Sequence, residues 1–486
     1  MMWSSGKDMG YQLDLFYRVD GHPARPGACG DGGTEAGTFE ERQALSALTG
    51  QRALTQHLME RVAAPANLNQ AYRRVKANRG GPGVDGMTVD DLLPWIRENK
   101  DGLVKSLLDG TYRPQTVLGR ELPKPGGGVR QLGIPTVVDR LVQQATLQVL
   151  QPLLDPTFSR SSFGFRPGRG AHDALAQARR YVSEGYEVVV DLDLEKFFDR
   201  VNHDLLMGRV ARRIADKRLL RIIRRFLEAG LMRDGVDVRR SVGTPQGGPL
   251  SPLLANLLLD DLDKELEARR HRFCRYADDC NIYVRSRRAG ERVMASVTEF
   301  LEVRLRLRVN REKSAVALVS ERSFLGHRLL VGGGLGLSEK SRKGLKDRLR
   351  KITRRRRGIS LSQMIHEVNE FAHGWVGYFQ HAWCKGELRI LDCWLRRRLR
   401  CFRIKQCKRG KGVIAFLKEQ GITTAGGWTI QPHSSGWWRL SHCPPVEAGM
   451  STRWFRDQGL VPMLDRYGAF ERSGNRRGTR SVCPVV

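Results

Sequence analysis

Two adjacent acids, Asp278 and Asp279, interrupt the apolar stretch FCRYADDCNIYV at residues 273–284, and a third acid, Asp193, ends the stretch YEVVVDLD. Carboxylates within packed sequence are costly unless a cation shares their site. Mg²⁺ takes one or two carboxylates together with phosphate oxygens, and two ions about 3.5–4 Å apart can activate a hydroxyl and stabilise a leaving oxygen at phosphorus. The acids therefore indicate metal-dependent phosphoryl chemistry, although an Asp-Asp pair can also simply form a turn.

The elements around the acids predict how they meet. Residues 188–190 form a short buried strand with Asp193 at its exit, residues 253–270 repeat their leucines at helical spacing, and residues 273–286 predict a hairpin that turns at the two acids. A strand, a helix and a hairpin in one sheet are the skeleton of a ferredoxin-like unit. We therefore expect acids that are distant in sequence to share one site.

Other residues could complete a nucleotide site. Phe197 and Phe198 follow Asp193 closely, the loop at 244–252 could approach a planar substrate through its glycines, and Lys124 and Arg130 offer cations for a triphosphate. Phenylalanines more often fill a core, and glycines more often bend a loop. Their joint occurrence in this order favours a nucleotide site.

The chain is strongly basic. Its 486 residues contain 83 Lys and Arg against 52 Asp and Glu, and the formal charge of +31 favours phosphate-rich partners or an anionic membrane surface. The sequence has neither a run of 18 apolar residues nor a signal-peptide core, so it predicts no membrane partner and no secretion. The nine cysteines include no C-x-x-C pair, which indicates reduced thiols in a cytoplasm.

Composition also divides the chain, whose length predicts several structural units. Residues 1–40 are rich in glycine and predict a flexible leader. Between residues 341 and 411, 21 Lys or Arg face 5 Asp or Glu, and seven of the nine Trp lie beyond residue 370. A charge run is usually a solvated helix face, but a one-signed excess among aromatics suits phosphate contacts and base stacking.

Six blocks carry a resemblance to a known family: NRGGPGVDGMTV (78–89), PKPGGGVRQLGIPTVVDR (123–140), SSFGFRPGRGAHDAL (161–175), DLDLEKFFD (191–199), GTPQGGPLSPLLAN (243–256) and YADD (276–279). In this order they resemble group II intron reverse transcriptase/maturases, from about residue 42 onward. The resemblance implies an α+β right-hand polymerase, with fingers and a ferredoxin-like palm followed by an α-helical thumb/maturase domain. The implied bounds are fingers with an N-terminal extension at 41–185, palm at 186–338, thumb/maturase (X) domain at 339–420 and a C-terminal DNA-binding-like region at 421–486.

The resemblance implies roles for single residues. Asp193, Asp278 and Asp279 match the family's catalytic acids, which bind two Mg²⁺ ions. Phe198 is similar to a steric gate that excludes a ribose 2′-OH. The other residues implied to bind the nucleotide are Gln246, Arg130, Lys124 and Lys313, the last of which could instead be a solvated surface lysine. Those that support the primer end are Phe324, Leu325 and Gly326. The arginines implied to bind RNA are Arg354, Arg355, Arg356, Arg357, Arg396, Arg397, Arg398 and Arg400.

The implied function is that of an RNA-directed DNA polymerase encoded by a group II intron. It binds its intron RNA to assist splicing and copies it into DNA during retrohoming. The implied partners are intron RNA, an RNA template with a DNA primer, target DNA and dNTPs. The implied location is the bacterial cytoplasm, with nucleoid association when the protein is bound to DNA.

The end of the chain departs from longer family members, which carry a Cys-paired His-Asn-His nuclease. After residue 420 the soft ligands are His433, His442, Cys443 and Cys483, too few and wrongly spaced for that module. The chain thus resembles the endonuclease-lacking type. The alternatives are a splicing factor that has lost polymerisation, a reverse transcriptase of a retron or diversity-generating lineage, and an RNA-templated RNA polymerase, which Phe198 disfavours.

Overall fold

The computed structural model describes residues 55–123, 129–233, 236–238, 243, 247–422 and 436–476. The predicted leader at 1–40 lies outside these ranges. Within them the chain forms two compact units, one of residues 55–178 with 188–317 and the other of residues 179–187 with 318–476. Each unit is built around its own apolar core.

Most of the first unit is helical. Its α-helices are α1 (Leu58–Ala63), α2 (Pro65–Ala77), α3 (Leu92–Leu108), α4 (Val137–Leu154), α5 (Ala171–Ser183, which continues into the second unit), α6 (Phe197–Arg200), α7 (His203–Ala211), α8 (Lys217–Glu228), α9 (Ser251–Ala268) and α10 (Arg287–Glu299). The very basic α8 shows why such sequence is helical. Its apolar residues, including Leu219, Ile222 and Phe226, form one buried stripe, and the Asp216 carboxylate accepts hydrogen bonds from the first backbone N–H groups.

The central sheet of this unit has the order β6-β7-β3-β8. Its strands are β3 (Val188–Leu192), β6 (Arg272–Tyr276), β7 (Asp279–Val284) and β8 (Ala315–Leu318). In chain order the elements run β3, α9, β6, β7, α10, β8, with the first strand between the third and fourth. This is the predicted ferredoxin-like arrangement, and it confirms the α+β fold class.

A second sheet has the order β2-β1-β4-β5. Its strands are β1 (Val117–Pro123), β2 (Val129–Ile134), β4 (Leu231–Arg233) and β5 (Val236–Val238). β1 and β2 pair in antiparallel fashion, and β1 also pairs in parallel with β4, where Val117 faces Leu231. Parallel pairing needs a long connection, so no local pattern announces it.

The second unit combines a small sheet with helices. The sheet has the order β11-β10-β9 and consists of β9 (Ser323–Phe324), β10 (His327–Leu329) and β11 (Leu335–Leu337). The helices are α11 (Glu339–Ile352), α12 (Leu361–Phe379), α13 (Lys385–Gln406), α14 (Gly410–Glu419), α15 (Trp437–Leu440), α16 (Pro444–Gly449), α17 (Thr452–Asp457) and α18 (Met463–Arg476). Among the helices of the described ranges, none has the length and apolarity needed to cross a membrane.

Candidate active site

The sheet register places Asp193 beside the hairpin acids. Leu192, the last residue of β3, faces Cys280 of the antiparallel strand β7. The next residues along the two chains are Asp193 and Asp279, at the adjoining ends of β3 and β7. Asp278 lies in the turn between Tyr276 and Asp279, which pair across β6 and β7. Three acids from two sequence regions thus lie at one edge of the sheet.

The backbone of Asp193 is fixed by residues 310–314. The Asn310 N–H donates to the Asp193 carbonyl oxygen at 2.8 Å, and the Asp193 N–H donates to Ser314 Oγ at 3.0 Å. The same segment carries Lys313, whose Nζ lies 3.3 Å from Asp193 Oδ2. The carboxylate of Asp193 is 29% exposed and the side chain of Lys313 is 67% exposed, so both are open to solvent. The structure therefore brings the predicted pyrophosphate-binding lysine to a predicted metal-binding acid.

The fit of these residues to a divalent cation can be judged from their chemistry. No group of three His, Cys, Asp or Glu side chains close enough to hold a metal is present among the described residues. Mg²⁺ in phosphate-processing sites needs only one or two carboxylates beside substrate oxygens, and this is the kind of ligand that Asp193, Asp278 and Asp279 would offer. Burial raises the pKa of the adjacent Cys280 thiol. Cys280 is only 2% exposed and packs in the apolar core of the unit.

A buried arginine network lies behind the hairpin. Arg275 of β6 is fully buried, and its guanidinium donates to both carboxylate oxygens of Asp263 on α9 at 2.7 and 2.6 Å. It also donates to the carbonyl oxygen of Ala277 at 2.8 Å and to Asn256 Oδ1 at 2.9 Å. Burial opposes the charge on Arg275, but the attraction of Asp263 outweighs it and raises the pKa of Arg275. Ala277 has φ 58, so the turn directly before Asp278 is strained. The hydrogen bond from Arg275 to the Ala277 carbonyl holds this turn in place.

The sequence reasoning missed this network, although one signal was available. Asp263 lies on the same helical face as Leu259, Leu262 and Leu266, all of which are buried. An acid on a buried apolar face requires a buried cationic partner. Arg275, in the strand that follows, is that partner.

The segment 161–165 also contacts the hairpin. Its backbone pairs with the outer edge of β6, since the Arg275 N–H donates to the Ser161 carbonyl and the Phe163 N–H donates to the Arg275 carbonyl, both at 2.9 Å. A Cβ at Gly164 would overlap the backbone nitrogen of Ala277. Only glycine therefore permits this close approach to the turn.

Only some of the other predicted nucleotide-binding residues lie within the described ranges. Phe198 is half-buried at the start of α6 and packs edge-on against Phe197, with ring centroids 5.1 Å apart. Arg130 lies in β2, where it pairs with Leu122. Lys124 and Gln246 lie outside the described residues. In the glycine loop, Gly247 has φ 135 and leaves no room for a Cβ beside the Gly133 carbonyl of β2.

The predicted primer-support residues form a tight turn in the second unit. Phe324 pairs with His327 across β9 and β10, and the two turn residues, Leu325 and Gly326, have φ values of 50 and 76. The carbonyl of Leu325 accepts a hydrogen bond from Tyr378 Oη on α12 at 3.0 Å. The turn is thereby attached to the helical part of the same unit.

The predicted RNA-binding arginines differ in how they are engaged. Arg354, Arg355 and Arg356 are exposed. Arg357 forms a two-pronged pair with Glu367 at 2.7 and 2.8 Å. Arg397 lies over the Trp438 ring, 4.2 Å from its centroid. This arrangement is compatible with stacking of the pair on nucleic acid.

Other members of this set make internal contacts. Arg398 donates to Thr353 Oγ1 at 2.6 Å, and Arg396 donates to Cys393 Sγ at 3.1 Å. Arg400 is only 8% exposed, and it donates to the Met450 carbonyl at 3.0 Å and to Glu447 at 2.9 Å. The prediction of an RNA contact for Arg400 is therefore corrected, because its guanidinium is turned inward and joins α13 to α16.

Two family models match the chain. One, described as reverse transcriptase (RNA-dependent DNA polymerase), matches residues 122–329 and so contains all three acids. The other, described as the group II intron maturase-specific domain, matches residues 342–419. The first family generally uses divalent metal ions, and the second implies an RNA partner. The maturase match favours the group II lineage over the retron and diversity-generating alternatives.

Two relatives and one solved structure are similar to the chain. Protein YkfC of Escherichia coli K12 is 32% identical over 333 residues, which cover 60% of this chain and 87% of that protein. The group II intron-encoded protein LtrA of Lactococcus lactis subsp. cremoris is 37% identical over 195 residues, covering 40% of this chain and 32% of LtrA. One chain of a solved structure, a partial Cas6-RT-Cas1–Cas2 complex, is 26% identical to this chain, with a TM-score of 0.34. The match covers 51% of this chain and 43% of the other. The chain belongs to the family of reverse transcriptases that carry a group II intron maturase domain.

Proposed function

We propose that this protein is an RNA-directed DNA polymerase that extends a DNA primer on an RNA template with dNTPs. The observation that supports the proposal is the register between β3 and β7, because it brings the end of β3, which Asp193 follows, next to the start of β7 and the Asp278 turn. These acids lie within the matched reverse transcriptase region. Their position at a sheet edge leaves them accessible to a nucleotide and a primer end.

The proposed reaction is a displacement at phosphorus. The primer 3′-OH gives its proton to water as its oxygen forms a bond to the α-phosphorus of the dNTP, the bond from that phosphorus to the β-phosphate's bridging oxygen breaks, and pyrophosphate leaves. Asp193, Asp278 and Asp279 would hold two Mg²⁺ ions, which when bound activate the hydroxyl and neutralise the departing charge. Lys313, already beside Asp193, would add a positive charge near the pyrophosphate.

The remaining roles are proposed on the same basis. Phe198 would exclude the ribose 2′-OH, while Arg130, Lys124 and Gln246 would contact the nucleotide. The Phe324–Gly326 turn would support the primer end. The proposed domain bounds are fingers with an N-terminal extension at 41–185, palm at 186–338, thumb/maturase at 339–420 and a DNA-binding-like region at 421–486.

We further propose that the protein binds group II intron RNA, assists its splicing and copies it during retrohoming into target DNA. The maturase-domain match and the one-signed charge of residues 341–411 support an RNA-binding surface. Exposed Arg354, Arg355 and Arg356 are its best candidates, with Arg397 beside Trp438 as a stacking element.

Primer extension on poly-rA with an oligo-dT primer tests the polymerase proposal. Asp278→Asn should reduce extension by roughly 10²–10³-fold or more, the size of effect seen when one group that stabilises transition-state charge is removed. Asp204→Asn is the matched control, because Asp204 is an exposed acid of the same unit that pairs with Arg224. Extension by the Asp278 variant at the wild-type rate would contradict the assignment.

Two further measurements separate the alternatives. If the protein only assists splicing, the wild type would promote intron splicing but would not extend a primer. An RNA-templated RNA polymerase would incorporate ribonucleotides without any change at Phe198. For the proposed enzyme, Phe198→Ala should raise ribonucleotide use relative to dNTP use, and Asp278→Asn should leave splicing intact.

A further inference from the structure

Phe165 is an exposed aromatic residue in a strained backbone conformation beside the YADD hairpin. Its φ is 57, its side chain is 52% exposed, and its ring centroid lies 6.5 Å from that of Tyr276. A bulky residue in the left-handed region is a genuine outlier, and burial of the ring does not offset the strain. Strain of this kind persists where the surroundings over-determine it, and it clusters at functional sites.

The surroundings of Phe165 hold its backbone from both sides. On one side, Gly164 lies against the backbone of Ala277, and the Asn256 amide donates to the Gly164 carbonyl at 2.9 Å. On the other side, the buried Arg166 guanidinium donates to Asp155 Oδ1 at 2.8 Å and to the Ser162 carbonyl at 2.9 Å. The ring is therefore presented to solvent by a rigid, hydrogen-bonded segment.

The rigid presentation defines what the ring can bind. A single exposed apolar side chain is common on protein surfaces and needs no explanation. An exposed ring on a strained backbone that hydrogen bonds hold beside the YADD hairpin does need one. A flat apolar face with little freedom to move is suited to stacking on another planar group. Every nucleobase has such a face, and base–aromatic stacking tolerates any sequence.

We infer that Phe165 is a stacking site for one nucleobase of the template–primer, next to the turn that carries Asp278. This inference rests on the proposed polymerase function and adds a specific contact to it. The contact contains no charge, so its loss should weaken template–primer binding without changing the salt dependence. The expected loss of affinity is roughly tenfold to hundredfold.

The test compares Phe165→Ala, Phe165→Trp and Phe165→Gly in template–primer binding and primer extension. The Ala variant should lose affinity, and the Trp variant should restore it because the planar face returns. The Gly variant should lose affinity as much as Ala does while its thermal midpoint is no lower than that of the Ala variant, because glycine adopts a positive φ without strain. A structural role alone would instead make affinity fall together with thermal stability. Val303→Ala, at a 68% exposed apolar side chain of the same unit, is the matched control and should bind like wild type.

Abasic substitution identifies the stacked base. Single abasic sites are placed in turn along the template and along the primer, and each duplex is bound by the wild type and by Phe165→Ala. At one position the abasic site should weaken binding by the wild type by the same factor as the Phe165→Ala substitution does. The same abasic site should not weaken binding by the Ala variant any further. A template position assigns the template strand, and a primer position assigns the primer strand.

Two results have distinct meanings. If the wild type extends primers but Phe165→Ala binds and extends equally well, the stacking inference is wrong and the polymerase proposal stands. If the wild type binds the template–primer with the predicted Phe165 dependence but does not extend it, the polymerase proposal fails and the stacking site stands.

Discussion

The ammonium group of Lys313 lies 3.3 Å from Oδ2 of Asp193. The lysine thus places a positive charge at a proposed metal ligand. Lys313→Ala should remove that competing cation, and the half-saturating Mg²⁺ concentration should fall by up to about fivefold, since exposed ion pairs contribute about 1 kcal/mol or less. Turnover at saturating Mg²⁺ should fall, because the pyrophosphate loses a nearby positive charge.

The measurement is a Mg²⁺ titration of primer extension by both proteins. Lys264→Ala is the control, since Lys264 pairs with Asp260 at 2.7 Å within α9 and has no proposed catalytic role. It should leave the Mg²⁺ dependence unchanged. A Lys313→Ala protein with the wild-type Mg²⁺ dependence and turnover would show that the ion pair has no part in the reaction.

The buried pair of Arg275 and Asp263 should be essential to stability. Arg275→Met leaves a buried carboxylate without its cation, and breaking such a pair costs about 3–5 kcal/mol. Arg224→Met is the matched control, because it breaks exposed pairs with Asp204 and Glu228 that have N–O distances of 2.6 and 2.5 Å and should cost about 1 kcal/mol or less. Urea unfolding of both variants measures the difference. Equal losses would mean that the Arg275 network does not hold the hairpin.

Gly164 should be required for activity through its contact with the hairpin turn. A methyl group at this position displaces the backbone of Ala277 and therefore shifts Asp278. We expect Gly164→Ala to lower primer extension by about tenfold to a hundredfold, because small misplacements of reacting groups have effects of that size. Gly208→Ala on α7 is the control, since its added Cβ would have nothing within 4 Å. Equal rates for the two variants would refute the positioning role.

The arginines of the second unit should separate into RNA contacts and internal supports. Arg356→Ala removes an exposed positive charge, so the slope of log affinity for a group II intron RNA against log salt should fall by about one. Arg400→Ala should leave that slope unchanged and lower the thermal midpoint, because Arg400 bonds to Glu447 and Met450. Binding titrations at several salt concentrations test this, and a reduced slope for the Arg400 variant alone would reverse the assignment.

Local patterns were sufficient to predict the part of the fold that carries the acids. The apolar strand before Asp193, the leucine-rich α9 and the hairpin around Asp278 each have a clear period, and one compact arrangement brings them together. The sequence did not predict that β4 pairs with β1 in parallel, because the two strands are joined only through a long intervening segment.

The missed features of the site depend on tertiary contacts. Arg275 stands in a strand where an arginine suggests a solvent-facing position, yet Asp263 of α9 compensates its charge in the interior. In the GFRPG segment, Gly168 adopts a positive φ as expected of glycine, but Phe165 does so as well, while Gly164 is used for close contact with Ala277. Similarly, an arginine-rich helix face gave no sign that Arg400 points inward toward Glu447.

The central claim is that Asp193 and the hairpin acids hold a divalent cation together. Electron paramagnetic resonance of Mn²⁺ titrated into the protein with template–primer and a dNTP measures this binding directly. We expect Asp193→Asn and Asp278→Asn each to weaken Mn²⁺ binding by about tenfold or more, and the double variant to lose less than the sum of the two free-energy changes, since both act on one site. Mn²⁺ binding that is unchanged in both single variants would contradict it.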